Sequence, residues 1–165
     1  MNRNYNALIL KSVTITAGAI LAILFASCLN LKYSATAGII TILSIQNTKK
    51  ETIQTAFARG EAFCCALLVS FLCYNFFGYT TAAFGIYLLV FTTLCLTMKW
   101  SSAIAMDSVL ITHFLAEKTM NIPMIANEIS LFLIGAGIGV LLNLSLRPKE
   151  NEWKDKMAEA DESIR

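Results

Sequence analysis

Six apolar runs separated by short polar gaps make up most of this 165-residue chain. The runs extend over residues 12–31, 34–46, 61–78, 80–98, 101–116 and 125–146. A helix rises about 1.5 Å per residue, so roughly twenty apolar residues cross a hydrocarbon core of about 30 Å. The pattern therefore predicts an all-α, polytopic membrane bundle of six transmembrane segments in one domain, residues 1–148. We expect the short second run either to continue towards Lys49 or to dip into the membrane against protein.

Two of the polar gaps carry local signals of their own. Residues 49–60 hold Ile53, Ala56 and Phe57 at the spacing of one helical face and lead directly into the third run. This arrangement predicts one long helix whose first turns project into the cytoplasm. The gap after the third run is uncharged and contains Gly78, which predicts a tight hairpin to the fourth run.

The chain changes character after residue 148. The Arg147-Pro148 pair is predicted to end the sixth crossing, because proline disrupts a helix interior. Residues 149–165 are rich in charge, with acidic residues placed four positions before basic ones, the order that supports a helix. Their apolar stripe consists of Trp153, Met157, Ala160 and Ile164. We expect a short cytoplasmic amphipathic helix that packs on a partner or along the membrane surface.

The basic residues follow the same alternation as the apolar runs. Lys32 and Lys118 stand alone in two gaps, and the gap around Gly78 has no basic residue. All other Lys and Arg residues fall in the remaining gaps and at the chain ends. Short cytoplasmic loops carry the excess of positive charge in membrane proteins, so both termini are predicted to be cytoplasmic.

Composition narrows the classes of function. Hydrophobic residues make up 56% of the chain and charged residues 15%, with a mean hydropathy of +0.63, which indicates that the lipid bilayer is the main partner. The basic residues lack interleaved aromatic residues, so nucleic acid is not an expected partner. Enzyme motifs and metal-ligand spacings are absent, and the five cysteines lie within apolar runs. We expect no enzymatic activity, no cofactor and no metal.

A few polar residues at membrane depth are the candidates for chemistry. Asp107 is the most informative, because a carboxylate in the centre of a membrane helix costs about 2.5–3.5 kcal/mol on insertion scales. It either serves a substrate or proton path inside the bundle or lies close enough to the inner boundary to reach lipid headgroups or a neighbouring loop. Arg59 likewise either attracts an anionic substrate or anchors the helix to lipid headgroups.

His113 and Glu128 flank the connection between the fifth and sixth runs, so they are expected at similar depth and within reach of each other. Such a pair either titrates as part of a mechanism or holds the hairpin together. Glycines offer a second kind of candidate. Gly135 and Gly139 have the four-residue spacing of close helix packing, and Gly18 has the same spacing to Ala22. That packing is expected either within one subunit or between subunits.

Two sequence blocks resemble a known family. The first reads AGIITILSIQ over residues 37–46, followed by Thr48 and Arg59, and the second comprises Asn127-Glu128, Gly135, Gly139 and Asn143-Leu144. Together with the six runs, these blocks resemble the aromatic acid exporter family, related to fusaric acid resistance-type exporters, over about residues 7–148. The resemblance implies a bacterial inner-membrane protein that works as an oligomer and exports aromatic carboxylates. It also adds Gln46 to the candidate path and Gly38 to the candidate packing residues.

Two hypotheses of different classes follow. The first is an exporter subunit for organic anions, with a path formed by the second, third and fifth helices. Its path residues are Asp107, His113, Arg59, Gln46 and Glu128. The second is a non-transporting oligomeric scaffold that recruits a cytoplasmic partner through the C-terminal helix.

Overall fold

The structure, a computed structural model, describes residues 2–45 and 49–162, with the side chains of 9, 11–45 and 52–144. Over these residues the chain forms helices and no strand. The helices are α1 (Asn2–Cys28), α2 (Ala35–Leu43), α3 (Lys49–Phe77), α4 (Thr81–Thr97), α5 (Ile104–Glu117) and α6 (Ile122–Glu162). The all-helical prediction is confirmed.

The helices differ in their ability to cross a bilayer. Three segments are long and apolar enough, namely Lys11–Cys28, Thr52–Phe77 and Ile122–Leu144, and Thr81–Thr97 is a shorter apolar helix. The remaining two helices, α2 with 9 residues and α5 with 14, are too short to cross alone. Helix α2 ends at Leu43, so the prediction that the second run continues towards Lys49 is wrong. The buried residues of α2 agree with the other prediction, a short segment lined by protein. Six full crossings stay a prediction.

The local signals around α3 and α4 agree with the structure. Residues 49–60 and the third run form the single helix α3, as predicted. Gly78 follows the end of α3 with a φ of 70°, a left-handed conformation that glycine adopts without steric cost. Thr80 then caps α4 by accepting a hydrogen bond from the Ala83 backbone N–H at 3.1 Å.

The end of α6 corrects one prediction. The Arg147-Pro148 pair was expected to end the sixth helix, but α6 continues without interruption to Glu162. Helix-forming residues on both sides explain why the proline interrupts hydrogen bonding without ending the helix. The side chains of the apolar stripe at 153–160 lie outside the described residues, as does Ile164. The domain boundary at residue 148 stays a prediction.

The connections alternate between the two ends of the bundle. The α1–α2 connection meets the start of α6 where the Lys32 backbone N–H donates to Asn127 Oδ1. At the opposite end, Arg59 of α3 donates to Ser44, which follows α2. We refer to these as the outer and inner ends, after the predicted orientation.

Small residues bring the helices together. Alanines with no exposed surface lie at the closest contacts, among them Ala22, Ala26, Ala37, Ala62, Ala66 and Ala83. One buried cluster joins α3, α4 and α5 around Tyr87, Phe91 and Phe114. A second joins α1, α2 and α6, with Met106 and Leu110 of α5 packed into it. Helix α5 therefore lies between both groups, which places its polar residues inside the bundle.

Candidate functional site

The inner end brings two predicted path residues together with a third that the sequence analysis did not single out. Arg59 of α3 is 5% exposed, and its Nη1 donates to Ser44 Oγ at 3.3 Å. Asp107 lies in the first turn of α5 and interacts electrostatically with Arg59. We call Ser44, Arg59 and Asp107 the inner cluster. It joins α2, α3 and α5, the helices predicted to form the path.

Asp107 is the least satisfied polar residue of this cluster. Its side chain has no exposed surface, and neither carboxylate oxygen has a hydrogen-bond partner among the described residues. Tyr87 and Cys95 of α4 also lie within its electrostatic reach. The proposal that Asp107 reaches lipid headgroups is therefore wrong, because those headgroups lie outside the bundle. Buried polar atoms without partners are rare and indicate a bound water, ion or ligand.

Arg59 also points inward rather than to the membrane surface. Its Nε is buried and has no hydrogen-bond partner among the described residues, whereas Glu61, two positions later, is exposed. Headgroup anchoring by Arg59 is therefore wrong as well. A guanidinium with a free donor is the group best suited to recognise a carboxylate, because its planar fork matches the two oxygens.

Two further residues support the inner end. Asn143 of α6 donates from Nδ2 to the hydroxyl of Thr52 of α3, and both side chains are buried. This bond fixes α6 against the stretch of α3 that precedes Arg59. Gln46, the remaining predicted path residue at this end, lies outside the described residues.

The outer end contains the predicted pair of His113 and Glu128. His113 Nδ1 lies 2.7 Å from Glu128 Oε2, which confirms that the two side chains meet. An ionised carboxylate only accepts hydrogen bonds, so a bond of that kind requires the proton on Nδ1. The other ring nitrogen, Nε2, lies 3.3 Å from the Thr36 hydroxyl of α2. Glu128 has no exposed surface, so this pair joins α2, α5 and α6 inside the bundle.

Asn127 links this pair to the α1–α2 connection. Its Oδ1 accepts from the Lys32 backbone N–H at 2.8 Å, and its Nδ2 donates to the Lys32 carbonyl at 3.1 Å. The same Nδ2 donates to Glu128 Oε1 at 3.0 Å. The Asn127 amide therefore connects Lys32, 95 positions earlier in the chain, to the buried carboxylate of Glu128.

The remaining contacts of the outer end are more exposed. Lys32 Nζ donates to Glu117 Oε2 at 2.8 Å, and the Tyr33 hydroxyl donates to Glu117 Oε1 at 3.2 Å. The Tyr33 ring stacks on His113 with 4.0 Å between ring centroids. We call Lys32, Tyr33, Thr36, His113, Glu117, Asn127 and Glu128 the outer network. Six of its members form a closed ring of contacts, in the order Lys32, Glu117, Tyr33, His113, Glu128, Asn127 and back to Lys32.

Electrostatics at the exposed part of the outer network follow from one ion pair. The hydrogen bond to Glu117 raises the pKa of Lys32 above its ordinary value. The same bond lowers the pKa of Glu117, and the hydrogen bond from Tyr33 lowers it further by a smaller amount. Burial first, and then the hydrogen bond to Glu117, raises the pKa of the Tyr33 phenol. All three groups therefore keep their neutral-pH protonation states more firmly than free side chains do.

The predicted packing glycines are used inside the subunit. A Cβ on Gly135 would lie 2.6 Å from the Ala37 carbonyl oxygen, and one on Gly139 would lie 2.8 Å from that of Thr41. A Cβ on Gly38 would lie 3.0 Å from the Ala19 carbonyl oxygen, and one on Gly18 would overlap Leu142. These glycines join α1, α2 and α6 of one chain, which is the first of the two predicted uses. An interface between subunits needs a different surface.

Cavities on the described surface include one at the outer end and one between two helices. One of about 240 Å³ adjoins the outer network, with Lys32, Glu117 and Asn127 in its lining. The other, about 430 Å³, is an apolar groove between α3 and α6 that includes Phe57, Gly137 and Leu141. None of the predicted path residues lines the apolar groove.

Several contacting residues were missed from the sequence for physical reasons. Tyr33 lies in the short gap between two apolar runs, and Thr36, Ser44 and Thr52 carry no charge that would attract attention in or beside an apolar run. Lys32 and Glu117 lie 85 positions apart, so only the fold brings them together. Asn127 had a signal in the second family-like block, but no partner for it was predicted.

The comparisons with known proteins give one family and one relative. The family described as aromatic acid exporter family member 1 matches residues 7–146. The chain is also similar to the uncharacterized protein YqjA of Bacillus subtilis (strain 168), with 35% identity over 134 residues. That alignment covers 81% of this chain and 42% of the relative, so the chain spans less than half of that relative's length. No solved structure matches.

Proposed function

From the premise that this chain belongs to the aromatic acid exporter family, we propose that it is an exporter subunit for organic anions such as aromatic carboxylates. The family places it among membrane exporters, and the apolar helices fit that environment. The substrate class, the multi-pass orientation in the inner membrane with both termini inside, and the assembly into a homo-oligomer are parts of this proposal.

The observation that carries the proposal is the inner cluster. A buried guanidinium with a free Nε lies within electrostatic reach of a buried carboxylate that has no hydrogen-bond partner among the described residues. A substrate carboxylate competes with Asp107 for the positive charge of Arg59. Protonation of Asp107 removes that competition and favours binding, whereas its ionisation favours release.

Transport into liposomes tests this proposal directly. Purified protein is reconstituted, and movement of labelled benzoate is followed under proton gradients of either sign. We expect the wild type to move benzoate and Arg59→Gln to do so at least ten-fold more slowly. Asp107→Asn is expected to bind benzoate but to lose the response to the gradient. Glu61→Gln is the matched control, because Glu61 is exposed on the same helix.

The opposite results are equally informative. No movement of any aromatic acid under either gradient overturns the exporter proposal for this chain. Transport that Arg59→Gln leaves unchanged retains an exporter but removes the inner cluster from its path.

Oligomerisation is proposed to supply walls that a single chain lacks. The glycines at 18, 38, 135 and 139 are occupied within the subunit, so an interface has to use another face. Native mass spectrometry from detergent measures the subunit number. A strictly monomeric protein that transports benzoate contradicts this part of the proposal.

The second candidate function, a membrane scaffold, is supported by the length of α6. This helix continues beyond its apolar run, residues 125–146, as far as Glu162. A continuous helix of that kind presents a surface for a cytoplasmic partner. If deletion of residues 150–165 abolishes a cellular efflux phenotype that Arg59→Gln and Asp107→Asn leave unchanged, the scaffold explains the protein better than the exporter.

A further inference from the structure

We infer that the outer network is the outer gate of the path and that Asn127 is the positioning residue that holds it shut. This inference rests on the proposed export function, because only a protein that passes a solute needs its two ends to open in turn. It assigns to Asn127 a role distinct from the inner cluster, which binds the solute.

The first argument is how Asn127 is used. Its amide makes two hydrogen bonds to the backbone of Lys32, one to the N–H and one to the carbonyl, and a third to Glu128. Because both bonds go to the Lys32 backbone, they hold the loop in position and do not depend on which side chain residue 32 carries. Asn127 therefore fastens the α1–α2 connection across the ends of α5 and α6.

The second argument is the conformation of that connection. Tyr33 has a φ of 58° and Asn30 a φ of 53°. A left-handed φ is strained for a bulky residue such as tyrosine and persists only where surrounding contacts hold it. The contacts that hold Tyr33 are its ring stacked on His113 and its hydroxyl bonded to Glu117. Once they are released, the connection gains by relaxing away from the bundle.

The third argument is that these contacts are exchangeable. The Lys32 and Glu117 side chains are 60% and 28% exposed, and the pocket of about 240 Å³ lies against them. Water that reaches the pocket can replace their hydrogen bonds at little cost. In contrast, the α2–α6 contact is made by glycines against backbone, which leaves no such freedom. The outer network can therefore open while α2 and α6 stay packed.

Thiol labelling tests the gate without requiring transport. Thr36 lies beneath the network, 6% exposed, with its hydroxyl against His113. In a background with the five native cysteines replaced by alanine, Thr36→Cys is introduced and a membrane-impermeant maleimide is added to intact cells. We expect slow labelling in this protein and at least ten-fold faster labelling when Asn127→Asp is added. The aspartate cannot donate to Lys32 or Glu128, and it places a second carboxylate beside Glu128.

Asn121 provides the matched control at the same end of the bundle. Its side chain caps the start of α6 by accepting from the Met124 backbone N–H at 2.9 Å, without a contact to Lys32 or Glu128 among its described bonds. Asn121→Ala is expected to leave labelling of Thr36→Cys unchanged. The gate is overturned if Asn127→Asp does not accelerate labelling, if Asn121→Ala accelerates it equally, or if Thr36→Cys labels fast without any further change.

A charge exchange keeps the test decisive if Asn127→Asp fails to fold. Lys32→Glu and Glu117→Lys are each expected to accelerate labelling of Thr36→Cys, and the double variant is expected to return it to the starting rate. A purely structural loosening is not rescued in this way, so absence of rescue in folded variants also overturns the gate. If the protein shows this labelling pattern but moves no aromatic acid, the gate is supported and the proposed export function is overturned. A transporting protein without the pattern loses the gate alone.

Discussion

The two ends of the bundle handle buried charge in opposite ways. At the outer end, Glu128 is fully buried, and both of its oxygens contact a neighbouring side chain. At the inner end, Asp107 is equally buried, and neither oxygen has a hydrogen-bond partner among the described residues. A satisfied carboxylate stabilises the arrangement around it, whereas an unsatisfied one destabilises its surroundings until a ligand, water or proton reaches it. This difference is the reason why we propose the inner end as the binding site and the outer end as the part that holds the helix ends together.

The largest expected effect comes from separating Arg59 and Asp107. Arg59→Gln is expected to lower the free energy of unfolding by about 3 kcal/mol, because it removes the bond to Ser44 and the positive charge that offsets the buried Asp107 carboxyl. In an Asp107→Asn background, the same substitution is expected to cost about 1 kcal/mol. Denaturant unfolding of the four proteins in detergent measures both values. Equal costs in the two backgrounds would mean that the residues are independent, and the contrast between the ends would lose its basis.

The close packing of α2 against α6 connects the two ends of the bundle. It gives the next largest expected effect on stability. Gly139→Ala is expected to cost about 1–3 kcal/mol, because the new Cβ would lie 2.5 Å from Ser44 Cβ and 2.8 Å from the Thr41 carbonyl oxygen. Gly137→Ala, two residues earlier, is the control, since a Cβ there meets nothing within 4 Å. It is expected to stabilise the helix by up to about 1 kcal/mol.

Thermal unfolding monitored by circular dichroism compares these two glycine variants. If Gly137→Ala is as destabilising as Gly139→Ala, the Gly137 face is covered by something outside this chain. That result would support a subunit interface in the apolar groove.

The carboxylates of the outer network provide a smaller contrast. Glu128→Ala is expected to cost about 2 kcal/mol, because it leaves His113 Nδ1 without its partner inside the bundle. Glu117→Ala, in the exposed part of the same network, is expected to cost less than Glu128→Ala, because water screens an exposed ion pair. Denaturant midpoints of both variants in the same detergent decide the order. The reverse order would mean that the exposed ion pair contributes more to stability than the buried contact between His113 and Glu128.

The sequence predicted the parts of the fold that depend on local pattern. Helix α3 and the hairpin at Gly78 were predicted because one helical face and one glycine specify them. The helix through Pro148 was missed, because local rules treat proline as a stop and do not weigh the helix-forming residues on both sides. The pairing of His113 with Glu128 was predictable, since both residues flank one connection.

Other parts of the candidate site depend on the packing of the fold. Arg59 lies at the boundary of an apolar run, where a lipid-facing and an inward-facing side chain give the same sequence pattern. Only the contact with Ser44 across α2 and α3 determines its direction. Asn127 and Lys32 illustrate the same limit, because nothing in either neighbourhood indicates a partner 95 residues away.

The smallest expected effect concerns the response of the outer end to pH. The pKa of Glu117 is lowered from an ordinary value of 4.5, so its contribution is present above that value and is lost as pH falls through the lowered pKa. The pKa of Lys32 is raised from 10.5, so its contribution is present below that value and is lost as pH rises through the raised pKa. The stability difference between the wild type and Glu117→Gln should therefore stay constant from about pH 5 to 10 and vanish in stronger acid or base. Denaturant unfolding across this range measures it, and added salt should reduce it at every pH because both side chains are exposed to water. A difference that changes between about pH 6 and 8 would show that the ion pair is coupled to the buried part of the network, and the exposed and buried contacts of the outer end would then have to open as one unit.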